Sequence, residues 1–424
     1  MSDLAITPAE FEKAIAPYVQ ADEKLAIAVS GGPDSMALTF CLRRYADPQN
    51  LLALIVEHGL REESAREAAS VAEKLRAMDI ETEILPWTHE DMKSRIHVRA
   101  REARYGLLID ACKKHGITTL CIAHHADDQA ETILMRFAKG SGIDGLAGMD
   151  PVTVVEGVRL VRPLLAMPKA RLLATCEVHH VPFVIDPTNA TNKYARGRLR
   201  KILPHLEPEG LTPERLCDLG ERAREARDAL TFYTRCFLQE AVHAMPGGAY
   251  RLDLTSLRGI PRATGLRALS MILDELSPQD YAPERKSLLP ILEWLCDQDE
   301  GEGRTLQGSI IQKGDLCDKA IFLREPAAAT ESLPISAQQT VRWDTRWQVT
   351  YIGVEEGLEV RALGVQDHDL LDRLSPSLRR QIPQGRIRAG LPALWRGDSV
   401  IAIPSFDERN QSVMLVHWPR PSWE

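Results

Sequence analysis

Short apolar runs alternate with longer amphipathic stretches along the N-terminal half of the chain. Runs of strand length, rich in aliphatic residues, occur at 25–29, 51–56, 81–85, 117–123 and 181–185. Stretches with helical periodicity lie between them at 64–78, 92–115 and 127–139, and a further helix can begin at Pro33. Because strands that alternate with helices form parallel sheets covered on both faces, the pattern predicts an α/β, Rossmann-like domain. Its ligand is expected beyond the carboxyl ends of the strands.

The pattern changes beyond residue 204. Helical patterns at 213–240, 262–276 and 283–296 predict a small, mostly helical domain that ends with a strand-like stretch at 304–323. Residues 326–334 are rich in Ala, Thr and Ser and are the best linker candidate, and short alternating runs beyond 341 predict a small α+β domain. We therefore predict domains at residues 1–207, 208–326 and 334–424.

The composition is that of an ordinary globular chain, with 44% hydrophobic and 26% charged residues. The longest apolar run is too short to span a bilayer, and the N-terminus lacks the basic and apolar regions of a secretory signal. The eight cysteines are scattered, and no two have Cys-x-x-Cys spacing, which argues against a zinc ribbon, an iron–sulfur site or a dithiol motif. We expect a cytoplasmic protein without a membrane partner. The oligomeric state stays open, and a homodimer is one option.

Basic residues are concentrated in two stretches, although the net charge is −8. Residues 159–201 hold nine basic and two acidic side chains, and residues 373–396 hold six arginines and no carboxylate. Local basic stretches in an acidic protein can bind phosphates, while the overall charge limits non-specific binding of nucleic acid. The alternative is that both are solvated surface charge.

A glycine-containing loop follows the first predicted strand and has the sequence Ser30-Gly31-Gly32-Pro33-Asp34-Ser35. Glycines let the backbone turn and expose its amides, and a helix N-terminus adds donors and positive potential, so the loop can hold phosphates. Asp34 is then the candidate ligand for Mg²⁺. The alternative is an ordinary strand-to-helix turn, which favours the same residue types. The loop is not a Walker loop, because Gly-Lys-Ser/Thr is absent.

A second polar segment, residues 123–132, follows the fourth predicted strand. Its His124, Asp128 and Glu131 have i, i+4, i+7 spacing, so they share one face if the helix extends back to His124. Two carboxylates and an imidazole could bind a metal or a cationic amine. The alternative is a solvated helix start whose acids complement the helix dipole.

The loop at 30–35 resembles the pyrophosphate loop of the N-type ATP pyrophosphatases. That resemblance implies cleavage of ATP to AMP and pyrophosphate, with the β- and γ-phosphates on Ser30, Gly31, Gly32, Pro33, Asp34 and Ser35. It also implies that adenine lies near Ala28 and Val56.

Further segments narrow the resemblance to the tRNA(Ile)-lysidine synthetase family. These segments are Ala123–Thr132, His58-Gly59-Leu60-Arg61 with Ser64 and Glu67, Arg101-Glu102-Ala103-Arg104-Tyr105, the glycine-rich 140–149, Arg162-Pro163-Leu164-Leu165, and Asp186-Pro187-Thr188-Asn189 with Tyr194, Arg196 and Arg200. The match is close over residues 23–204 and looser beyond. Glu57, Thr191 and Gly197 depart from the residues that are commoner in the family.

The family resemblance implies a reaction, its substrates and its residues. ATP adenylates the carbonyl oxygen at position 2 of the wobble cytidine of the minor tRNA(Ile) with a CAU anticodon, and the ε-amine of free L-lysine then expels AMP. The implied cofactors are ATP and Mg²⁺, and the two C-terminal domains bind tRNA. The implied catalytic residues are Asp34, Arg101, His124, Asp128 and Glu131, and the implied tRNA-binding residues are Arg196, Arg198 and Arg200.

Three alternatives remain at this stage. A cytidine thiolation enzyme of the same fold carries a similar histidine segment, but such enzymes need catalytic cysteines or a cluster site. An amide-forming ligase such as GMP or NAD synthetase lacks the 58–67 pattern. An RNA-binding protein with an inactive loop would release no pyrophosphate from ATP.

Overall fold

The computed structural model describes residues 4–57, 59, 64–87, 96–184, 195–245, 247–279, 281–297, 303–314, 318–364, 389–402, 414–417 and 421–423. They form two compact units, Met1–Arg227 and Asp228–Glu424, and each is described by itself below.

The described residues of the first unit contain six strands. They are β1 (Leu25–Ala28), β2 (Leu51–Glu57), β3 (Glu81–Pro86), β4 (Thr119–Cys121), β5 (Val152–Val155) and β6 (Val158–Val161). Its helices are α1 (Pro8–Ile15), α2 (Pro33–Tyr45), α3 (Ser64–Arg76), α4 (Ile96–Lys114), α5 (Ala126–Ala138), α6 (Ile143–Leu146), α7 (Lys169–Val178), α8 (Ala195–Leu206) and the first part of α9 (Pro213–Ala241).

The six strands form one sheet in the order β3-β2-β1-β4-β6-β5. Every pair is parallel except the β5–β6 hairpin, which closes one edge. Apolar side chains pack on both faces, one cluster including residues of α1, α2, α3 and α7 and the other including residues of α4. The predicted parallel sheet covered by helices is confirmed.

The predicted strand at 181–185 is wrong over its described part, since residues 181–184 belong to no strand. The run contains Pro182, which cannot donate to a strand ladder. Val181 is buried and Phe183 packs against the core, so the apolar character of the run reflects packing. One backbone amide, that of Val184, donates to the carbonyl of Gly31 at 2.9 Å.

The strand order places a crevice between β1 and β4. The chain runs outward from β1 to β2 and β3, and then returns to the other side of β1 with β4. Such a reversal of strand order leaves room for a ligand at the carboxyl edge of the sheet. Both polar segments identified in the sequence, 30–35 and 123–132, begin at this crevice.

In its described part, the second unit contains the remaining helices and three antiparallel sheets. The helices after α9 are α10 (Leu254–Arg258), α11 (Arg262–Leu276) and α12 (Arg285–Cys296). The first sheet, in the order β7-β8-β11-β10-β9, contains β7 (Val242–Met245), β8 (Ala249–Asp253), β9 (Arg304–Leu306), β10 (Ser309–Lys313) and β11 (Lys319–Arg324). The second contains β12 (Leu333–Ile335), β15 (Leu358–Ala362), β16 (Pro392–Arg396) and β17 (Ser399–Ala402), and the third contains β13 (Thr340–Trp343), β14 (Trp347–Tyr351) and β18 (Met414–His417).

The predicted helices at 213–240, 262–276 and 283–296 are present, and α11 and α12 pack with the first sheet of this unit in one core. The pattern did not predict β7 and β8, which extend that sheet. The division into three domains stays a prediction, since the two compact units part at residues 227 and 228. Among the described helices, none combines the length and apolar character needed to cross a membrane.

Candidate functional site

The loop after β1 turns at Gly31, which has φ +80°. A Cβ atom at this position would lie 2.4 Å from Cγ2 of Val71 on α3, so glycine is needed for both conformation and space. Gly32 is the N-cap of α2 and lacks a side-chain cap, and Pro33 occupies the first turn. The first amides of α2 therefore remain available to an anion at this end of the helix.

The two serines of the loop hold it closed. The Ser35 hydroxyl accepts from the Ser30 amide at 3.2 Å and donates to the Gly32 carbonyl at 3.0 Å. The two hydroxyl oxygens lie 3.3 Å apart. These bonds fix the turn in a shape that can hold phosphate oxygens.

Asp34 lies in the first turn of α2, and its two carboxylate oxygens have different surroundings. Oδ2 is 3.4 Å from Lys169 Nζ and 3.6 Å from His125 Nε2. Oδ1 is buried and has no hydrogen-bond partner. Burial raises the pKa of the carboxyl, but His125 and Lys169 outweigh it, so the pKa lies below its ordinary value. A buried anionic oxygen of this kind suits a cation, and Mg²⁺ commonly uses one or two carboxylates together with substrate phosphates.

The second polar segment begins helix α5 at Ala126, with His125 as N-cap. The His125 Nδ1 accepts from the Asp128 amide, and the Asp128 carboxylate accepts from the His125 amide, each at 3.3 Å. This is a capping box with imidazole in the place of a hydroxyl. The helix does not extend back to His124, so the condition for the expected shared face of His124, Asp128 and Glu131 is not met.

His124 lies beside Arg162 instead. Its Nδ1 accepts from Arg162 Nε at 3.3 Å, and Arg162 also donates to the Asp150 carbonyl at 2.8 Å and to the Thr153 hydroxyl at 3.0 Å. Because Nδ1 accepts, the ring proton belongs on Nε2. Arg162 thereby fixes the orientation of the imidazole.

Glu131, one turn after Asp128, is 2% exposed. Arg200 on α8 donates from Nε to its Oε1 at 2.7 Å. This hydrogen bond and the neighbouring carboxylates of Glu131, Asp128 and Asp34 raise the pKa of Arg200. A residue predicted to hold lysine and a residue predicted to hold tRNA are therefore partners in one ion pair.

The glycine-rich segment at 140–149 packs against α5. Gly148 has φ +70°, and a Cβ atom there would lie 2.7 Å from the Gln129 amide. That amide donates to the Met149 carbonyl at 3.0 Å and accepts from its amide at 2.7 Å. Arginines donate to backbone carbonyls of the segment and to the Asp150 carboxylate, namely Arg136, Arg224 and Arg227. The segment is held in one shape beside the crevice.

The remaining predicted residues are placed as follows. Ala28 and Val56 are half-buried at the carboxyl ends of adjacent strands, where an adenine could lie. Arg198 is exposed on α8. Arg101 lies on α4 and Arg196 on α8, and their side chains are outside the described residues.

Parts of the resemblance lie outside the described residues, namely His58, Leu60, Arg61 and residues 185–194. Glu57, one of the departures, accepts from the Gly59 amide at 2.8 Å.

Three side chains of the site had no individual role in the sequence-based predictions. His125 was quoted without a role, Lys169 was counted only in the basic stretch 159–201, and Arg162 was counted there and in the segment Arg162-Pro163-Leu164-Leu165 of the family resemblance. For His125 a signal was present, because a polar residue three positions before Asp128 at the start of an apolar-periodic stretch has the spacing of a capping box. Lys169 has no such signal, since the fold alone brings it to the crevice. For Arg162 the family resemblance marked the segment but not the contact with His124.

Four of the described cysteines are buried and unsuited to catalytic thiol chemistry. Burial raises the pKa of Cys41, Cys121 and Cys176 to about 12 and that of Cys112 to about 11. A reactive cysteine has a lowered pKa and partial exposure. These four thiols are therefore small core groups.

Several known proteins have similar sequences. Residues 5–206 match the PP-loop domain family. A tRNA(Ile)-lysidine synthase from Methylobacterium nodulans is 43% identical over 261 residues, which cover 61% of this chain and 77% of that protein. One from Ruegeria pomeroyi is 34% identical over 390 residues, covering 91% and 89%. One from Wolbachia sp. subsp. Brugia malayi is 33% identical over 342 residues, covering 79% and 78%.

Proposed function

The chain belongs to the tRNA(Ile)-lysidine synthase family, and on that premise we propose that it joins the ε-amine of free L-lysine to position 2 of the wobble cytidine of tRNA(Ile) with a CAU anticodon. ATP is consumed, and AMP and pyrophosphate are released. The main support is that the phosphate loop after β1 and the acids after β4 meet at one crevice. There His125 Nε2 lies 3.6 Å from Asp34 Oδ2 and 3.3 Å from Asp128 Oδ2. We place the reaction in the cytoplasm, where its tRNA and free lysine occur.

The phosphates of ATP bind residues 30–35. The turn at Gly31 and the open N-terminus of α2 supply amide donors, and Lys169 adds positive charge beside Asp34. Adenine lies near Ala28 and Val56. Mg²⁺ would be held by Asp34 Oδ1, and when bound it would neutralise charge on the phosphates.

Asp128 and Glu131 hold the ammonium of lysine before it attacks. The amine must lose its proton to act as a nucleophile, and a carboxylate can take that proton when it is within hydrogen-bond reach. Glu131 already binds Arg200 at 2.7 Å, so lysine either shares this carboxylate with the guanidinium or displaces it. A buried carboxylate needs a cation in either state.

Charge on the α-phosphate is neutralised from α4 by Arg101 or Arg104. His124, oriented by Arg162, places its Nε2 proton toward the activated base or a phosphate. The basic helix α8, with Arg196, Arg198 and Arg200, holds the tRNA backbone, and the wobble base enters the crevice because single-stranded loop bases can be splayed out.

One experiment tests the proposal against the thiolation alternative. The protein is incubated with ATP, Mg²⁺, radiolabelled lysine and total tRNA, and the products are separated after nuclease digestion. We expect AMP, pyrophosphate and label in the wobble nucleotide of one isoleucine tRNA. Turnover to ADP and orthophosphate, or turnover that requires a sulfur donor and leaves lysine unused, would refute it.

A further inference from the structure

His125 is a buried imidazole at the junction of the two functional segments. It is 2% exposed, and its ring nitrogens face three carboxylates. Nε2 lies 3.3 Å from Asp128 Oδ2 and 3.6 Å from Asp34 Oδ2, while Nδ1 lies 3.6 Å from Asp127 Oδ2.

The backbone fixes which ring nitrogen carries the proton. Nδ1 accepts from the Asp128 amide as the N-cap of α5, so the proton belongs on Nε2. That proton points into the gap between the Asp34 and Asp128 carboxylates. The 3.6 Å distance to Asp34 exceeds an ordinary hydrogen bond, and such distances commonly shorten when substrate binds.

The contacts at Asp34 Oδ2 orient the whole carboxylate. His125 and Lys169 both face Oδ2, and Oδ1 is left buried without a hydrogen-bond partner. A carboxylate held by one oxygen presents the other in a fixed direction. The same imidazole faces Asp128 Oδ2 on the amine side of the crevice.

We propose that His125 is a positioning residue that aligns Asp34 with the nucleotide phosphates and Asp128 with the lysine amine through one Nε2–H group. The inference rests on the proposed function, in which Asp34 serves ATP and Asp128 serves lysine. It follows that loss of this donor weakens the use of both small substrates, although they bind different segments.

Two substitutions separate the positioning role from the capping role. In His125→Asn the side-chain oxygen replaces Nδ1 as the helix cap, for which Asn is well suited, but the shorter side chain offers Asp34 no donor in place of Nε2. In His125→Gln the amide nitrogen reaches the former position of Nε2, but the cap is weakened. Lys169→Gln is the comparison variant, because its ammonium lies 3.4 Å from Asp34 Oδ2, on the side of the nucleotide.

The measurements are thermal midpoint, KM for ATP in tRNA-dependent pyrophosphate exchange, and KM for lysine in lysine transfer. For His125→Asn we expect a midpoint near that of the unaltered protein and a rise in both KM values of about tenfold, a usual size for coupling between neighbouring sites. His125→Gln should recover most of both KM values with a lower midpoint. Lys169→Gln should raise KM for ATP alone.

A surface control is His115→Asn, since His115 binds only Glu83 among the contacts described for it, at 2.6 Å. Unchanged kinetics are expected for this variant. The inference is overturned if His125→Asn retains both KM values, if only one of them rises, or if both His125 variants fail to fold, which would mark a structural role. If the unaltered protein transfers no lysine to tRNA, the proposed function itself fails, whatever the variants do.

Discussion

At the scale of single residues, the two oxygens of Asp34 show how a phosphate loop can also prepare a cation site. Oδ2 faces a histidine and a lysine, and Oδ1 is buried without a hydrogen-bond partner. Buried polar atoms in folded proteins are nearly always satisfied, so an exception at a loop of this kind indicates a ligand. The negative form of the carboxyl is retained because its neighbours lower its pKa.

Asp34→Asn removes the charge with little change of shape. We expect tRNA-dependent ATP–pyrophosphate exchange to fall by about 100-fold or more, because one preorganised charge at a phosphoryl site contributes on that order. Added Mg²⁺ should not restore the rate. The control is Asp79→Asn, since Asp79 is exposed and bonds only Arg43 among its described contacts, and near-wild-type exchange in Asp34→Asn would contradict the assignment.

Gly31 allows a second substitution with a matched control. Gly31→Ala should lower the free energy of unfolding by about 1–2 kcal/mol from its positive φ, with a further loss from the contact to Val71. Gly116→Ala shares a positive φ but has open space around its Cβ, so it measures the conformational part alone. Urea unfolding of both variants checks this, and equal losses would show that Val71 moves aside. Only Gly31→Ala should raise KM for ATP.

At the scale of elements, the pairing of α5 with α8 brings together residues that had been assigned to different substrates. Glu131 and Arg200 bond at 2.7 Å, and beside them Ala130 and Ile133 of α5 pack with Leu203 of α8. The apolar contact sets the distance between the helices, and the ion pair neutralises a carboxylate that the packing has buried.

Glu131→Gln should raise KM for lysine by about tenfold or more and leave KM for ATP in exchange unchanged, since a neutral amide attracts an ammonium far less. Arg200→Gln should lower the free energy of unfolding by about 1–3 kcal/mol, because it leaves the Glu131 carboxylate without this cation. The loss should nearly vanish when Glu131→Gln is already present. The control is Arg198→Gln, which removes an equal charge from the same helix. If it lowers the free energy of unfolding as much as Arg200→Gln does, the ion pair contributes little to stability.

The elements also show what the sequence could predict. The order from β1 to α5 followed from apolar runs, because parallel strands are buried on both faces and stand out from amphipathic helices. The β5–β6 hairpin was missed, although Glu156 and Gly157, both at positive φ, form its turn between alternating valines. The prediction of a strand at 181–185 was wrong because a buried loop and a paired strand can have the same apolar run. Only Pro182 indicated that this run does not pair as a strand.

Individual residues of the site could be predicted from the sequence, but the contacts between them could not. Spacing along one helix identified Asp128 and Glu131, but the start of α5 depended on the His125 cap, which turned His124 toward Arg162. Contacts such as Lys169 with Asp34 join residues far apart in sequence, so no local pattern carries them. The reaction was predicted from the family resemblance, whereas the contacts of His124 with Arg162 and of Lys169 with Asp34 are known only from the structure.

At the scale of the whole molecule, a buried charge cluster spans the segment that the sequence marked as a linker. Arg324 before the segment and Arg346 after it both bond Asp344, at 2.9 and 2.6 Å. Burial lowers the pKa of Arg346, but the charge of Asp344 opposes this. The two predicted C-terminal domains thus share a buried ion network, in agreement with one compact unit over Asp228–Glu424.

Asp344→Asn removes the shared anion and leaves two mostly buried guanidinium groups. Because breaking a buried ion pair from one side costs about 3–5 kcal/mol, we expect a loss of that order in the free energy of unfolding of this unit. Differential scanning calorimetry with the unaltered chain as reference checks it. A loss below about 1 kcal/mol would show that water replaces the carboxylate readily.

This network determines how the C-terminal arginines should be tested. Truncation after residue 334 would remove Asp344 from Arg324 and disturb the middle of the chain, so weaker tRNA binding would have two causes.

The double substitution Arg379→Gln with Arg380→Gln, which falls outside the described residues, removes two charges from the basic stretch and leaves the network intact. We expect weaker tRNA binding. The slope of log Kd against the logarithm of salt concentration should become shallower by about two, since each phosphate contact contributes nearly one to that slope. We expect the arginines of 373–396 to contact the acceptor arm, which an isolated anticodon stem-loop lacks, so lysine transfer to that stem-loop should not change. The matched control is Arg43→Gln with Arg76→Gln, whose side chains already bond Asp79 and the Thr82 carbonyl within the first unit. An equal loss of affinity in both double variants would mean that overall charge, and no contact at 373–396, holds the tRNA.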